Sequence, residues 1–366
     1  MSKIHQNKIS ILYAYRNRDT KRIKFSFESL QKQKLQNFEV IFVDYGSKPD
    51  LVNELESLAV QFDFVRFFHL PVSQLLWNKS KALNYGVQKA SGDHIFIADT
   101  DLVFHPDTTR LLQKLQSPLK FQLFKLGYLD KKESQKLSGN YDFEDLKPDR
   151  IGEVNGMLLT SRESLMNVYG LDEFFHFYGA EDEDLFARLE NAGLKREHCK
   201  EQYFLHQWHR SFSGSEDKLL TGNPRVKNIM RINQRHFQRN RDNGITRPLR
   251  QNGMGEIIHP ELARKLLNPE LIIETPNILA RVEHLLREEL PVLEDQVIRM
   301  EFFEDTYYSS YKHRVKKLLG KQTQPYVSMK EVNDMVLKEI LFNYRDHNYS
   351  FEIKEDLKTI VFCIQL

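Results

Sequence analysis

The chain has 366 residues, with 53 Lys and Arg against 51 Asp and Glu, so its formal net charge is +2. A hydrophobic share of 40% and a charged share of 28% are ordinary for a folded protein and exclude disorder over most of the chain. The balanced charge argues against a dedicated nucleic-acid-binding protein, which usually carries a large basic excess. The 2 cysteines, Cys199 and Cys363, offer no disulfide framework and favour a reducing, cytoplasmic location.

The first hundred residues alternate segments typical of strands with segments typical of helices. Strands are predicted over residues 9–15, 39–47, 64–70 and 94–101, and helices over 21–33, 51–62 and 81–92, the last ending on Gly92. Such alternation predicts βαβ units and a parallel sheet, in which ligands bind beyond the carboxyl ends of the strands. The polar residues at those ends are Arg16, Asp44, Asp99 and Asp101. No stretch reaches the ~20 apolar residues of a membrane span, and the first apolar run is too short for a signal peptide.

Beyond residue 101 the pattern is less regular. Residues 130–150 are predicted to form a loop or short helices, 154–161 a strand, and 181–193 and 224–244 helices. A boundary is predicted near 243–255, dividing a catalytic domain (1–250) from a mainly helical region of unknown role (251–366). That region is predicted to hold helices over 278–290 and 329–344 and a strand over 359–366.

Carboxylates and imidazoles suggest a metal site. Asp99 and Asp101 follow the fourth predicted strand, where both side chains can reach one divalent cation that neutralises a diphosphate leaving group. His206 and His209, three residues apart, can add ligands to the same ion. Each signal alone is equally compatible with a solvated strand end or with structural histidines.

A run of four acids, Glu181 to Asp184, opens the helix predicted over 181–193. All four cannot be buried, because like charges repel and desolvation is costly. Acids at a helix N-terminus are favoured by the helix dipole, so they need no functional explanation. The preceding Tyr178, however, favours a role for these acids in binding a sugar, because an aromatic ring beside carboxylates suits a sugar. Near the first strand, Arg16 and Arg18 could bind phosphate bidentately or be ordinary surface residues.

The order of these motifs resembles the GT-A fold glycosyltransferases, and more narrowly the β-1,4-galactosyltransferase-like group and related bacterial family-2 enzymes. YRNR (15–18), WNKSKALNYG (77–86), DTD (99–101) and the segment 154–185, which ends in GAEDEDL, are similar to motifs of that group. The resemblance covers about residues 8–215. It implies a Rossmann-like, mostly parallel sheet flanked by helices. The mainly helical C-terminal extension is predicted instead from the periodic apolar positions of residues 251–366.

The resemblance also implies roles for individual residues. The implied donor-binding residues are Tyr15, Arg16, Arg18, Asp44, Trp77, Lys79, Asp99, Asn155 and Gly156. Tyr178 and Glu181 would bind the acceptor, and Asp182 would be the catalytic base. Asp101 would bind Mn²⁺ or Mg²⁺ together with His206 or His209, and the choice between the two histidines stays open.

The chain departs from the group's pattern at several positions. Tyr178 stands where the group has Trp, Ala180 where it has Gly, and Lys79 where it has Arg. Residues 43–47 read VDYGS where family-2 enzymes often have V-D-D-G-S, which removes one potential contact to the base. The acceptor subsite and the transferred sugar are therefore open.

The predicted function is an inverting, metal-dependent transfer of a hexose or N-acetylhexosamine from a nucleotide-diphosphate sugar, with UDP favoured. The acceptor would be a hydroxyl of a saccharide or lipid-linked saccharide in bacterial surface polysaccharide or glycan synthesis. Three alternatives are a retaining N-acetylgalactosaminyltransferase-like enzyme, a nucleotidyltransferase and a non-catalytic nucleotide-sugar-binding protein. The Arg-rich helix over 224–244 is better explained as a solvated helix than as a nucleic-acid site. A peripheral contact with the inner face of the membrane is left open. The oligomeric state is left open as well.

Overall fold

A computed structural model describes residues 8–153, 156–210, 218–251 and 253–366. The chain divides into two compact units. The first comprises the described residues within 1–73, 77–211 and 232–257, and the second those within 74–76, 212–231 and 258–366. The assignment of residues 1–250 as a catalytic domain stays a prediction.

The described residues form the following elements. The strands are, in chain order, β1 (Ile9–Tyr15), β2 (Phe38–Tyr45), β3 (Val65–Leu70), β4 (His94–Ile97), β5 (Leu102–Phe104), β6 (Lys120–Phe124), β7 (Leu126–Tyr128), β8 (Arg150–Gly152), β9 (Leu158–Ser161), β10 (Lys195–Cys199), β11 (Phe204–His206), β12 (Leu271–Pro276), β13 (Val297–Phe303), β14 (Asn348–Ile353) and β15 (Thr359–Gln365). The α-helices are α1 (Thr20–Gln31), α2 (Pro49–Ala59), α3 (Lys79–Lys89), α4 (Thr108–Lys114), α5 (Lys131–Gln135), α6 (Arg162–Asn167), α7 (Glu181–Asn191), α8 (Ile229–Asp242), α9 (Pro260–Lys265), α10 (Leu279–His284), α11 (Tyr311–Leu318) and α12 (Met329–Glu339).

The first unit is built on a large, mainly parallel sheet. Among the described residues it has seven strands in the order β10-β6-β9-β4-β1-β2-β3, and only β9 runs antiparallel to its neighbours. Helix α3 packs against β1 and β2. The predicted fold class, a mostly parallel sheet flanked by helices, is confirmed.

Apolar side chains hold this sheet together. Strands β1 and β2 are almost entirely buried, as expected for parallel strands covered on both faces. Phe27, Phe42 and Phe96 lie in one continuous core that also contains Phe204 of β11. Phe96 and Phe204 stack with ring centroids 5.2 Å apart. This packing fixes β4 against β11. It therefore sets the positions of the acids that follow β4 and of His206, the last residue of β11.

The register of the parallel strands brings three strand ends to one edge. Tyr15 of β1 is paired with Asp44 of β2, and Leu12 of β1 with Ile97 of β4. Arg16, Asp44 and the residues that follow Ile97 therefore lie at the same carboxyl edge, as the sequence predicted. A second, four-stranded sheet, β5-β11-β7-β8, pairs β5 antiparallel with β11 and so brings His206 opposite Leu102, directly after Asp101.

Most predicted elements of the first unit are present, with shifted ends. Helix α3 ends at Lys89 rather than at Gly92, because Ala90 already has an extended backbone at ψ 137°. The fourth strand ends at Ile97, so Asp99 and Asp101 follow it instead of lying within it. Strand β9 begins at Leu158, and Val154 and Asn155 lie outside the described residues.

The second unit combines helices with a four-stranded sheet, β12-β13-β15-β14. Helical residues outnumber strand residues there, and of this sheet the sequence indicated only the last strand, 359–366, which is β15. Helix α12 packs against β15 and starts with a capping box between Ser328 and Glu331. Over the described part of the chain, none of the helices has both the length and the apolar character needed to cross a bilayer.

Candidate active site

Two acids after β4 face different groups of the first unit. The side chain of Asp101 is 6% exposed and lies beside two histidines, whereas Asp99, at 38% exposure, contacts Lys79. Because the two acids are only two residues apart, the segment between β4 and β5 joins a histidine cluster on one side to a lysine–carboxylate cluster on the other.

The histidine cluster consists of Asp101, His206 and His209. The Nε2 atom of His206 lies 3.5 Å from Asp101 Oδ1, and the Nε2 atom of His209 lies 3.3 Å from Asp101 Oδ2. Pairing of β5 with β11 and a hydrogen bond from the Gln207 amide to the Asp101 carbonyl, at 3.0 Å, hold the two segments side by side. The structure thus brings together the three residues predicted to bind metal.

The electrostatics of this cluster favour an ionised carboxylate. Burial raises the pKa of Asp101, but the hydrogen bond with His209 and the charges of His206, His209 and Arg22 outweigh it and lower this pKa to about 2. In turn, the hydrogen bond with Asp101 raises the pKa of His209. Arg22, on α1, donates from Nη1 to Asp101 Oδ2 at 3.5 Å.

The donor set fits a divalent cation. One ligand atom from each of Asp101, His206 and His209 lies within 4.8 Å of the others. Ligands about 2.0–2.3 Å from an ion are separated by about 3 Å when adjacent, close to the observed spacings. Asp101 Oδ1 is buried and has no hydrogen-bond partner among the described residues, which leaves a carboxylate lone pair available for an ion. Carboxylate oxygen suits Mg²⁺ and Mn²⁺, and the two imidazoles add ligands typical of transition ions.

The lysine–carboxylate cluster is centred on Lys79, the first residue of α3. Its Nζ donates to Asp99 Oδ1 at 3.1 Å and lies 3.7 Å from Glu181 Oε1. Burial lowers the pKa of Lys79, but the charges of Asp99, Glu181 and Asp182 outweigh it and raise this pKa above its usual range. Asn78, which caps α3, donates to the Glu173 carbonyl at 2.7 Å. This hydrogen bond fixes the start of the helix and with it the position of Lys79.

Helix α7 directs the acidic run into this cluster. Its N-cap, Ala180, has a left-handed backbone with φ 70°. The turn allows the Gly179 amide to donate to Glu181 Oε2 at 3.1 Å. Burial raises the pKa of Glu181, Lys79 lowers it and Asp182 raises it further, so the net shift is upward.

Asp182 faces the same small cavity as Lys79. A Cβ built on Gly156 would lie 3.7 Å from Asp182 Oδ2 and 3.8 Å from Lys79 Nζ. The polar lining of the cavity is Lys79, Gly156, Glu181 and Asp182, and Leu83, Leu158 and Leu185 form an apolar wall. The predicted base, one acceptor-binding residue and two donor-binding residues are therefore neighbours.

Ala180→Gly tests the strained turn before α7. A left-handed backbone costs a non-glycine residue about 1–2 kcal/mol, while glycine adds unfolded-state entropy worth about 0.4–1 kcal/mol. We expect the substitution to raise the free energy of unfolding by about 0.5–1 kcal/mol, measured by urea denaturation. Ala192, at the other end of the same helix with φ −79°, is the matched control. Ala192→Gly should lower stability, and a loss of the same size in both variants would contradict the strain.

A buried polar network supports α7 from behind the acidic run. Asp184, the last of the four acids, is fully buried and accepts from Arg188 Nε at 2.7 Å. Arg188 also donates to the carbonyls of Val168 and Gly170 at 2.9 and 2.8 Å. Asn240 joins Asp184 to a second buried acid, Asp172, with which His236 pairs at 2.8 Å. The fourth acid therefore has a structural role, and the other three remain partly exposed.

Arg188→Met is expected to lower the free energy of unfolding by about 3–5 kcal/mol, because it leaves a buried carboxylate without its cation. Burial already raises the pKa of Asp184, with Arg188 opposing it. The difference from wild type should shrink at acidic pH, where Asp184 becomes protonated and uncharged. Lys24→Met is the control, since Lys24 and Glu28 form an exposed pair at 3.8 Å on α1 that is worth at most about 0.5 kcal/mol. Equal losses in the two variants would contradict the buried pair.

The predicted donor-binding residues near β1 and β2 line the carboxyl edge of the sheet. Arg16 donates from Nη2 to the Ser73 carbonyl at 2.6 Å, while Arg18 is exposed. Tyr15 is buried, and its hydroxyl accepts from the Arg18 amide at 3.0 Å and donates to the Arg18 carbonyl, which shapes this turn. Trp77 meets Tyr45 edge to face with ring centroids 5.8 Å apart.

Asp44 is completely buried, and its carboxylate is held by protein groups. The Ser47 hydroxyl donates to Oδ1, and His69 Nδ1 lies 2.7 Å from Oδ2. Any contact of Asp44 with a base or ribose would have to share this carboxylate with Ser47 and His69. A direct role for Asp44 in donor binding stays a prediction.

The remaining predicted residues are Tyr178 and Asn155. Tyr178 is 54% exposed, and its carbonyl accepts from Asn233 at 3.0 Å. More than half of its surface is thus exposed beside the acidic run, as an acceptor platform requires. Asn155 lies outside the described residues.

Sequence reasoning missed several neighbours of the site. Arg22 lies one helical turn beyond the arginines of the YRNR motif, which is the signal that could have found it. Tyr128, at the end of β7, lies with its ring 5.2 Å from that of His206 and 3.8 Å beneath the Arg150 guanidinium. Burial raises the pKa of Tyr128, Arg150 lowers it, and Asp99 raises it, so the net shift is upward. Tyr128 and Arg150 fall in the part of the sequence with the weakest periodicity.

Two family models match consecutive parts of the chain. Residues 10–142 match the glycosyl transferase family 2 model, and residues 143–210 match the model described as the N-terminal domain of galactosyltransferase. The region 10–210 is thus that of a GT-A glycosyltransferase. More narrowly, it is of the family-2 type, with a galactosyltransferase-like segment that carries the acidic motif and both histidines, and the resemblance predicted from the motifs is confirmed.

Individual relatives are more distant. A protein of Rickettsia felis called "Uncharacterized glycosyltransferase" is 30% identical over 118 residues, 32% of this chain and 18% of its own length. One of Haemophilus influenzae with the same description is 29% identical over 123 residues, 34% of this chain and 43% of its own length. The chain therefore spans less than half the length of these relatives.

Solved structures give low similarity. S. aureus TarS aligns with a TM-score of 0.42 at 15% identity, over 55% of this chain and 37% of that one. The mannosyltransferase PcManGT from Pyrobaculum calidifontis, solved in complex with GDP-Man and Mn²⁺, aligns with a TM-score of 0.43 at 15% identity, over 58% of this chain and 61% of that one.

Proposed function

We propose that this chain is an inverting, metal-dependent glycosyltransferase that moves a sugar from a nucleotide-diphosphate donor, preferably a UDP-sugar, to a hydroxyl of a saccharide acceptor. The sugar would be a hexose or an N-acetylhexosamine. The catalytic role falls to residues 1–250, and the setting is cytoplasmic assembly of a bacterial surface polysaccharide or glycan, with a free or lipid-linked saccharide as acceptor. This biological setting rests on analogy alone.

The observation that carries the proposal is the arrangement around Asp99 and Asp101. Asp101 lies within 3.5 Å of both histidines, and Asp99 lies 3.1 Å from Lys79, which is in turn 3.7 Å from Glu181. A candidate cation-binding cluster and a carboxylate cluster thus lie on either side of one short segment. Sugar transfer needs both, one to bind the diphosphate and the other to activate the acceptor hydroxyl.

Asp101, His206 and His209 would hold Mn²⁺ or Mg²⁺. When bound, the ion supplies positive charge that stabilises the departing diphosphate. The arginines of the YRNR motif lie at the same edge of the sheet, and Arg16 and Arg18 offer planar donors suited to phosphate oxygens. Lys79 adds a cation on the side of the Asp99–Asp101 segment that faces away from the histidine cluster. On that side the donor sugar would lie against Gly156.

Asp182 is the proposed general base. It would accept the proton of the acceptor hydroxyl as the hydroxyl oxygen forms its bond to the anomeric carbon and the bond to the diphosphate breaks. Direct displacement of this kind inverts the anomeric configuration. A Cβ built on the adjacent Gly156 would lie 3.7 Å from Asp182 Oδ2, so glycine at this position keeps a side chain from packing against the carboxylate.

Glu181 and Tyr178 are proposed to bind the acceptor. Glu181 is held by the Gly179 amide and by Lys79, so its orientation is fixed before any ligand arrives. The exposed Tyr178 ring offers an apolar face on which a sugar can stack. Tyrosine in place of the group's tryptophan gives a smaller ring, so the area of stacking between this side chain and the acceptor sugar is expected to be smaller.

A thermal-shift panel tests the donor class. The panel contains UDP-, GDP-, dTDP- and CMP-sugars, each with Mn²⁺ and with a chelator. A ligand at about 100 times its dissociation constant stabilises the folded protein by about 2.7 kcal/mol. We expect one diphosphate sugar to raise the melting temperature by several degrees with Mn²⁺ only. The CMP-sugar is the control, because it lacks a diphosphate.

Two results would contradict the proposal. The absence of any shift would favour a degenerate fold without donor binding. If nucleoside triphosphates, tested in the same way, raised the melting temperature and none of the nucleotide sugars did, the result would favour a nucleotidyltransferase, which releases pyrophosphate.

A further inference from the structure

A basic segment of the second unit, residues 306–329, has an unusual composition. It contains five basic residues and no Asp or Glu, between Asp305 on one side and Glu331 on the other. The basic residues are Lys312, Arg314, Lys316, Lys317 and Lys321. None of them forms an ion pair with a carboxylate in the described part of the chain, whose salt bridges otherwise engage many surface lysines and arginines.

Helix α11, in the middle of the basic segment, exposes large apolar side chains next to these charges. Tyr311 is 82% exposed, Leu318 87% and Leu319 63%. Of the residues of this helix only His313 is buried. Leu318 and Leu319 therefore place adjacent apolar surface beside the four basic residues of the helix and contribute nothing to the core of this unit.

Tyrosines surround the start of this helix. The rings of Tyr308 and Tyr326 lie 5.4 Å apart, and His313 lies 5.3 Å from Tyr326. The Tyr326 hydroxyl donates to Asp305 at 2.6 Å, which anchors one end of the cluster, while Lys316 lies over the Tyr307 ring at 5.9 Å. Partly exposed tyrosines, with an apolar body and a polar tip, are typical of the water–bilayer interface.

We propose that the basic segment docks the protein on an anionic lipid surface, with Leu318 and Leu319 inserted among the lipids and the lysines at the headgroups. A short helix that carries cations beside exposed leucines and aromatic rings matches a surface-bound amphipathic helix. Each Lys or Arg near an anionic bilayer adds to the affinity. A soluble polyanion would engage the cations but would leave the leucines in water, so the apolar residues favour lipid as the partner. This inference is independent of the proposed transfer reaction.

Vesicle sedimentation of the full chain tests the docking. The vesicles are phosphatidylcholine alone, or phosphatidylcholine mixed with phosphatidylglycerol, and each is tested at low and high salt. We expect binding to the mixed vesicles only, and weaker binding at high salt because surface charges are screened.

Two double variants separate charge from insertion. Lys312→Gln with Lys317→Gln should weaken vesicle binding about 30-fold, from about fivefold per lysine. Leu318→Ser with Leu319→Ser should weaken it roughly tenfold or more, because buried apolar area is lost. Matched controls on the same unit are Lys338→Gln with Lys358→Gln, and Val292→Ser, whose side chain is 74% exposed beside Glu294 and Asp295. All these residues are exposed, so melting temperatures should match wild type.

The outcomes decide the proposal. Anionic-vesicle binding that falls in both test variants and not in the controls supports it. Absence of binding to the mixed vesicles overturns it. Binding that falls with the lysines but not with the leucines also overturns it, and identifies a site for a polyanion instead. Equal losses in the test and control variants would show nonspecific adhesion and overturn it as well.

Discussion

Asp101→Ala is expected to abolish the metal-dependent stabilisation by the donor while leaving the protein folded. Among the described residues, Asp101 is the only carboxylate of the candidate metal-binding cluster and lies beside both histidines, so its removal leaves two imidazoles with no anion. The full stabilisation of about 2.7 kcal/mol at 100 times the dissociation constant should disappear. The measurement is the difference in melting temperature with and without Mn²⁺ at saturating donor, since this difference is unaffected by any change in basal stability.

Asp63→Ala is the control for that variant, because Asp63 is an exposed acid of the same unit. Its metal-dependent shift should equal that of wild type. An unchanged shift in Asp101→Ala would contradict the metal assignment. Asp101→Asn should behave like the alanine variant, because an amide is a poor ligand and carries no charge.

The metal-dependent shift should also depend on pH. Metal binding requires neutral imidazoles, and the hydrogen bond with Asp101 raises the pKa of His209. The shift should therefore grow as pH rises from about 6 to about 8. The stability of the metal-free protein should change with pH in the opposite direction. A raised histidine pKa adds stability at low pH, and this stability is lost as the pH rises through the folded-state pKa. A shift that does not change over this range would count against His209 as a ligand.

Asp182→Asn is expected to lower turnover about 10²–10⁴-fold while donor binding stays close to wild type. The substitution keeps the shape of the side chain but removes its ability to accept a proton. Asp182 contacts no residue of the histidine cluster through a described ion pair, so the metal site should be intact. Turnover is measured as nucleoside diphosphate released in the presence of acceptor, and donor binding as the metal-dependent thermal shift.

Glu181→Gln is the matched comparison, because it is the same change one residue away. If Glu181 only holds the acceptor, its variant should raise the acceptor KM more than it lowers kcat. A near-normal kcat in Asp182→Asn together with a large loss in Glu181→Gln would show that the base has been assigned to the wrong acid. The upward shift in the pKa of Glu181 makes this comparison necessary.

The parallel part of the fold could be predicted because its signals are local. Strands β1 and β2 are buried over their whole length and so appear as continuous apolar runs, and the helices between them show helical spacing. Once the sheet is parallel, the carboxyl edge follows, and with it the grouping of Arg16, Asp44 and the acids after β4. The metal cluster could be predicted only as a set of candidates, because the pairing of β5 with β11 that brings His206 to Asp101 depends on contacts far apart in the chain.

The short strands, the buried member of the acidic run and the sheet of the second unit could not be predicted, mainly because they depend on tertiary contacts. Strands β7, β8 and β11 have three residues each, too few for any periodic pattern. In the acidic run, the sequence showed that not all four acids can be buried. Only the tertiary contacts of Arg188 with the Val168 and Gly170 carbonyls, and of Asn240 with Asp184, show that Asp184 is the buried one. The sheet of the second unit was missed for a different reason, since β12 and β14 are partly exposed and carry polar residues.

The central claim is that sugar transfer requires a metal held by Asp101 and the two histidines and a base at Asp182. The most direct test is release of nucleoside diphosphate from the donor that the thermal panel selects, with saccharide acceptors present, with Mn²⁺ or with a chelator. We predict release that requires the metal, is absent in Asp101→Ala and is strongly reduced in Asp182→Asn. Release that is equally fast with the chelator, or unchanged in both variants, would contradict the claim.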